Sequence, residues 1–445
     1  MSVIDASPAG TPVGGRYLLA AMTPRVGEFI ALRRDIHQHP ELAFEEHRTA
    51  ELVADRLQAW GYAVERGIGG TGVVGTLVRG DANAPGAKRL GLRADMDALP
   101  IHEASGVAWA STRAGLMHAC GHDGHTAMLL AAARTLAEEG RFDGTLHVIF
   151  QPAEEGGGGA LRMMADGLFE RFPCDAVFAM HNMPGVPQGR LVFRDGPAMA
   201  SSDYATVTLE GIGGHGAMPH RAADPIVAAA SIVMALQTVV SRNVDPLQMA
   251  VVTVGALHAG QANNVIPAQA RLELSVRALD REVRALLERR IRELIEAQAA
   301  SLGVRARIDW RAGYAVLVNT KAETDFAREV ALDLVGPDQV TLHGPALSGS
   351  EDFSFMLERV PGSYLLIGNG ATEAGATPSP GACMVHNPGY DFDDDNIAVG
   401  AAYWVALAQR FLQPPARQAG SRQSSLTASA RSAVVAAAEA DRASH

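Results

Sequence analysis

The chain has 445 residues, 47% apolar and 20% charged, with a formal net charge of -11. That length predicts more than one core, and the acidic balance excludes a polyanion partner such as nucleic acid, which needs a basic face. Three cysteines, Cys120, Cys174 and Cys383, make no disulfide framework, and no run approaches the apolar length of a membrane helix, so a cytoplasmic protein with no membrane partner is expected.

In chain order, residues 1–16 are rich in Gly, Pro and Ser and read as a loose tail. The apolar run 17–22 is too short for a signal core. Residues 24–60 predict helices, with Pro40 breaking the first. Strands are expected at 62–65, 73–78 and 90–94, a helix at 126–139 ending on Gly140, and strands at 145–150 and 176–180. This alternation predicts a layered α/β sheet.

Near residue 200 the pattern changes. A half-exposed strand at 203–210, a helix from 224 to about 240 with Pro225 at its first position, strands at 249–257 and 270–278, a charged helix at 281–302 and a strand at 305–310 follow. The β-α-β-β-α-β order matches a ferredoxin-like α+β sandwich with one solvated sheet face. The α/β pattern resumes near 315. The expectation is a mixed-sheet α/β catalytic domain, 17–199 and 313–414, interrupted by an inserted ferredoxin-like α+β domain at 200–312. Residues 1–16 and 415–445 are expected to be flexible tails.

Four segments carry candidate chemistry. Cys120 and His122 are two residues apart, which in an extended segment puts both on one face. Thiolate and imidazole suit zinc or another late divalent ion, although Cys120 alone also reads as a small core residue and the histidines as helix caps. Glu154 and Glu155 end an apolar strand before a glycine run. If neighbours there point apart, one can bind metal while the other faces substrate as a base; a solvated acidic loop is the plainer reading. His181 follows the strand at 176–180, and His386 lies far downstream. Single histidines are more often structural, but sites at strand C-terminal ends are where open α/β sheets bind ligands. Asp95 and Asp97 also follow a strand, and Asp97 is the candidate to orient a metal-bound imidazole or steer Glu154.

Two glycine runs, 67–72 and 211–216, fit a dinucleotide-binding pattern, but neither opens a helix at once, so a nucleotide-dependent oxidoreductase is rejected. His37 and His39 lie at a helix end and read as caps rather than metal ligands.

Together these segments resemble peptidase family M20, in its amidohydrolase branch of hippurate, N-acyl-amino-acid and auxin-conjugate hydrolases. The resemblance runs from 33–41 to 386–392. It implies that Cys120, His122, Glu155, His181 and His386 hold two divalent metal ions per subunit, with Glu154 as general base. It also implies a homodimer through the inserted domain. His215 would then reach the partner's site as an oxyanion donor, and Asn264 would touch substrate. Arg277, near a strand end, is a candidate to hold a substrate carboxylate bidentately, against a reading as a surface ion-pair residue. Many members of the wider group carry His where Asp95 stands and a bridging Asp near Cys120. The thiolate leaves zinc, manganese and cobalt all open. The expected reaction is hydrolysis of an N-acyl amino acid, such as an N-benzoyl or N-acetyl conjugate, to a carboxylic acid and a free amino acid. The alternatives are an M20 dipeptidase or aminoacyl carboxypeptidase and, in a different class, a metal-dependent scaffold, which has no need of the base Glu154.

Overall fold

Along the central strands, apolar side chains face both ways, and that pattern demands cover on both sides of a sheet. The computed structural model describes residues 15–82, 84–371 and 381–413. The loose tails expected at 1–16 and 415–445 lie outside these residues, except that Gly15 and Arg16 open the first helix.

The first part of the chain forms α1 (Gly15–Met22), α2 (Gly27–Gln38), α3 (His47–Ala59), β1 (Ala63–Ile68), β2 (Gly72–Arg79), β3 (Lys88–Asp95), α4 (His122–Glu139) and β4 (Gly144–Gln151). Next come α5 (Gly159–Ala165), α6 (Leu168–Arg171), β5 (Ala176–Pro184), β6 (Leu191–Val192) and β7 (Gly196–Met199). The inserted layer contains β8 (Ser201–Glu210), β9 (Gly214–His215), α7 (Pro225–Asn243), β10 (Ala250–Ala259), β11 (Val265–Ile266), β12 (Gln269–Ala278), α8 (Arg281–Ser301) and β13 (Arg305–Ala312). The last described elements are β14 (Leu317–Asn319), α9 (Lys321–Val335), β15 (Val340–Thr341), α10 (Phe353–Leu357), β16 (Gly362–Gly370) and α11 (Asn396–Phe411).

The larger sheet is mixed, in the order β1-β2-β4-β3-β5-β16-β6-β15. Its centre, β4-β3-β5-β16, is parallel, and β1 and β2 run antiparallel at one side. Leu146, Val148 and Phe150 of β4 join Phe178 and Met180 of β5 in the core beneath α2, α4, α9 and α11. Ile149, Val177 and Ala179 point the other way, into a core with α5, α6 and α10. Helix α4 is buried on nearly all sides because it lies between α2, α11 and the sheet. At its crossing with α11, a Cβ on Gly400 would meet Met128 Sδ at 2.1 Å, so glycine permits the close approach.

The inserted layer has a second sheet, β10-β12-β8-β13, antiparallel throughout. Val207, Leu209, Leu272, Leu274 and Val276 face Ile232 and Leu236 of α7 and Leu287, Ile291 and Ile295 of α8 in one core. Each large side chain fully buried there contributes about 1.5–3 kcal/mol. Asp224 caps α7 by accepting from the Ile226 N–H (2.8 Å), ahead of Pro225. The fold is thus the expected mixed-sheet α/β layer with an inserted ferredoxin-like α+β layer.

Three expectations need correction. Helix α4 begins at His122, four residues early, because Gly121 makes the turn that starts it. Strand β5 continues to Pro184, because its parallel pairing with β16 extends that far, so His181 and Asn182 lie inside a strand. Helix α7 is long and apolar enough by length and composition to pass for a membrane span, although Ala228, Ala229, Ile232, Leu236 and Val239 are buried in the sandwich.

Candidate metal centre and active site

The ends of adjoining parallel strands build the site. Asp95 ends β3, Glu154 and Glu155 follow β4, and His181 lies toward the C-terminal end of β5. Cys120 and His122 are not on one extended face. Gly121 between them has φ 91°, and a Cβ there would stand 2.3 Å from Asn182 Nδ2 and 2.4 Å from the Tyr390 hydroxyl. This left-handed turn, open to glycine, brings the thiol and the imidazole together. Asn182 secures it by donating from Nδ2 to Cys120 O (2.6 Å) and accepting from the Tyr390 hydroxyl (2.9 Å). His386, also left-handed at φ 63°, is tied in by its N–H donating to Ala119 O (2.7 Å).

The imidazole hydrogen bonds fix which nitrogens stay free. His122 Nδ1 donates to Asp97 Oδ1 (3.2 Å), and its buried Nε2 has no hydrogen-bond partner. His181 Nδ1 donates to Asn182 O (2.6 Å), so its Nε2 lies 3.3 Å from Cys120 Sγ as an acceptor. His386 Nε2 lies 3.2 Å from Glu155 Oε1. Donor atoms of Cys120, His122 and His181 fall within 4.8 Å of one another, as do those of Cys120, Glu155 and His386, and of His122, Glu154 and Glu155. The carboxylate pair therefore converges on His122 in a turn, rather than splaying from a strand end.

These donors fit divalent cations. Burial, then the Glu155 and Glu154 carboxylates, push the Cys120 thiol far above its ordinary range, so a thiolate there needs positive charge beside it. Burial works against a proton on His122, but Asp95 and Asp97 raise it to about 10; a cation at the orphaned Nε2 would take that proton's place. Burial holds His181 well below its usual value, neutral and ready to ligate. The Glu155 carboxylate beside it raises His386. His125, though close, is committed elsewhere: Nδ1 faces Asp95 (2.7 Å) and Nε2 accepts the Asn182 N–H (3.0 Å).

Beneath Glu154 lies a buried charge network. The Arg93 guanidinium donates to Gln151 (2.9 Å), Asp95 (2.6 Å), Glu351 (2.9 Å) and Asp352 (3.2 Å). Carboxylate oxygens of Glu154, Glu351 and Asp352 lie within 4.8 Å of one another. Burial, then Glu351 and Glu155, raise the Glu154 carboxyl well above the usual range, which suits a group that must take up a proton. Burial also penalises Asp95, but His122, Arg93 and His125 outweigh it and hold its carboxyl well below that range.

Asp97 accepts the N–H groups of Glu154 (3.0 Å) and Glu155 (2.9 Å) as well as His122 Nδ1. It therefore touches both partners considered for it. Cys120, His122, Glu154, Glu155, His181, His386 and Asp97 all meet at this one place. His215 and Asn264 do not: both are exposed on the inserted layer, linked by the Gly216 N–H donating to Asn264 O (2.8 Å). Arg277 donates to Ser350 (3.0 Å), one residue before Glu351. Of the two histidines read as caps, His39 bonds Asp35 O (2.8 Å) at the helix end, whereas His37 is buried against Asp123 (2.8 Å) and Glu103 (3.2 Å). Asp123 lifts His37 to about 9 despite the cost of burial. Sequence reasoning missed Arg93, His125, Glu351, Asp352, Tyr314 and Glu46, whose partners are mostly distant in the chain.

Comparison with known proteins places the chain in one family. Residues 91–410 match peptidase family M20/M25/M40. The chain is 43% identical over 387 residues to hippurate hydrolase of Campylobacter jejuni, covering 87% of this chain and 97% of that protein. It is 37% identical over 390 residues to N-acetyl-L-cysteine deacetylase of Bacillus subtilis, covering 86% and 88%. Among solved structures, a dinuclear metal-binding peptidase of the M20 family from Bacillus subtilis superposes with a TM-score of 0.73 at 32% identity, covering 88% of this chain and 99% of that one. The chain belongs to peptidase family M20/M25/M40.

Proposed function

We propose that this chain is a metal-dependent amide hydrolase that cleaves N-acyl amino acids to a carboxylic acid and a free amino acid. The observation that carries the reading is the convergence of Cys120, His122, Glu155, His181 and His386 beside the buried carboxyl of Glu154. Hippurate hydrolase and N-acetyl-L-cysteine deacetylase among the relatives supply the substrate class. The five residues would hold two divalent ions, zinc, manganese or cobalt, with Cys120 common to the two groups of donors. Such ions, when bound, acidify a water and polarise a carbonyl.

The chain's own groups move the proton. Glu154 takes one from the attacking water at a carboxylate oxygen as the new C–O bond forms. It returns that proton to the amide nitrogen as the C–N bond breaks. Asp97 keeps Glu154 in place through its backbone N–H and orients His122. Tyr314, just past β13, donates its hydroxyl to Glu154 O and so fixes the same turn. Arg277 is assigned to the substrate carboxylate and Asn264 to the substrate's amide region. His215 is assigned to the oxyanion in a partner subunit's site, which its exposure and its absence from the donor groups favour. On this reading 17–199 and 313–414 form the catalytic domain, and 200–312 the domain that pairs two subunits.

The test is a panel of N-benzoyl and N-acetyl amino acids against dipeptides, using metal-reconstituted protein. Chelator-sensitive turnover of the acyl conjugates is expected. Turnover of dipeptides alone would move the assignment to a dipeptidase, and no turnover of either would remove it.

A further inference from the structure

Three non-glycine residues among those described adopt left-handed backbone: Phe44, Ala153 and His386. That region crowds a Cβ, and such strain persists only where surroundings enforce it. Ala153, at φ 52°, is the pivot between the end of β4 and the pair Glu154–Glu155. Its N–H donates to Glu46 Oε1 (2.9 Å). The next two N–H groups donate to Oδ1 and Oδ2 of Asp97. Two buried carboxylates thus capture three successive amides. The Ala153 carbonyl accepts the Gly159 N–H (3.0 Å), and a Cβ on Gly157 would stand 2.7 Å from the Ala153 methyl, so the turn has no slack.

Glu46 has no part in the donor set or in the proton path. It is fully buried just before α3 and also accepts the Phe44 N–H (3.0 Å) and the Thr71 hydroxyl. Besides the Thr71 hydroxyl its carboxylate accepts only backbone amides, and the one that reaches the site is the Ala153 amide. Asp97 cannot replace it, because Asp97 holds only the amides after the pivot.

We propose that Glu46 is a positioning residue for the hydrolysis: by gripping the Ala153 N–H it enforces the left-handed turn that sets Glu154 and Glu155 facing the Cys120–His122 loop. Without the grip, Ala153 relaxes to an ordinary conformation and both carboxylates swing away from their places. The proposal rests on the reading of Glu154 as the proton acceptor.

The test combines hydrogen exchange on the substrate-free protein with steady-state kinetics on an N-acyl amino acid. Glu46→Ala is expected to speed amide exchange at 153–155 by about tenfold or more. It should lower kcat about 10²-fold with KM changed less than about twofold. Glu46→Gln should restore both, since its carbonyl accepts the two amides and its NH2 donates to the Thr71 hydroxyl. A role confined to packing would lower stability without this split or this rescue. Should Glu46→Ala fail to fold, Glu46→Asp, whose carboxylate is drawn back by one methylene, is read in the same way. Unchanged exchange at 153–155, or unchanged kcat, in the variant that folds overturns the proposal. A wild type that turns over no N-acyl amino acid counts against the proposed reaction alone, and exchange then decides whether Glu46 holds the turn.

Discussion

The free Nε2 of His181 lies 3.3 Å from the thiol sulfur of Cys120, both turned into one buried space by hydrogen bonds through Asn182. Cys120 belongs to both cation-sized groups of donors that hold a sulfur. Cys120→Ala is therefore expected to lower bound metal toward one ion or none per chain, as read by elemental analysis of purified protein. Wild-type metal content in that variant would take Cys120 off the set.

Arg93 pairs with Asp95, Glu351 and Asp352, all fully buried. Removing one partner of a buried ion pair leaves uncompensated charge. Arg93→Met should cost about 3–5 kcal/mol in chemical denaturation. A loss below about 1 kcal/mol, the range of a surface pair, would mean that the carboxylates do not need it.

His147 of β4 packs against Phe172 and bonds Thr76 of the neighbouring β2 (2.9 Å). Burial, assisted by Arg89, lowers it from 6.5 to about 4. The unfolded chain therefore binds this proton first as pH falls. The stabilisation is complete above about pH 6.5 and is lost between there and about pH 4. It amounts to at most about 3 kcal/mol. The stability of the wild type should fall by up to that amount relative to His147→Leu as pH drops through that window. Parallel curves would contradict the assignment.

His215 is exposed and belongs to none of the donor groups in its own chain. If it serves a partner's site, mixing inactive His215→Ala with inactive Glu154→Gln subunits restores one intact site per mixed dimer. Random pairing then gives about a quarter of wild-type activity. No recovery after verified subunit exchange would contradict the assignment of His215 to a partner's site.

The sequence carried the two-layer organisation because periodicity records burial: β8 and β12 alternate cleanly, and α7 and α8 announce their caps at Asp224 and Asp280. It blurred where function interrupts periodicity. The apolar run of β5 stops at Met180, but backbone pairing with β16 carries the strand on through His181 and Asn182. The spacing of Cys120 and His122 suggested their partnership for the wrong reason, since a left-handed Gly121 rather than an extended segment joins them. Two of the carboxylates that meet Arg93, Glu351 and Asp352, are 258 and 259 residues away, and Glu46 is 107 residues from Ala153. No local pattern encodes such meetings; only the sheet order does.

The central claim is that Glu154 moves the proton while its neighbours hold the metal. The most direct measurement is the hydrolysis rate of N-benzoylglycine by Glu154→Gln protein brought to the same metal content as wild type. The account predicts an intact fold, equal metal and a kcat lower by about 10²–10⁴-fold. A Glu154→Gln protein that turns over at the wild-type rate would contradict it.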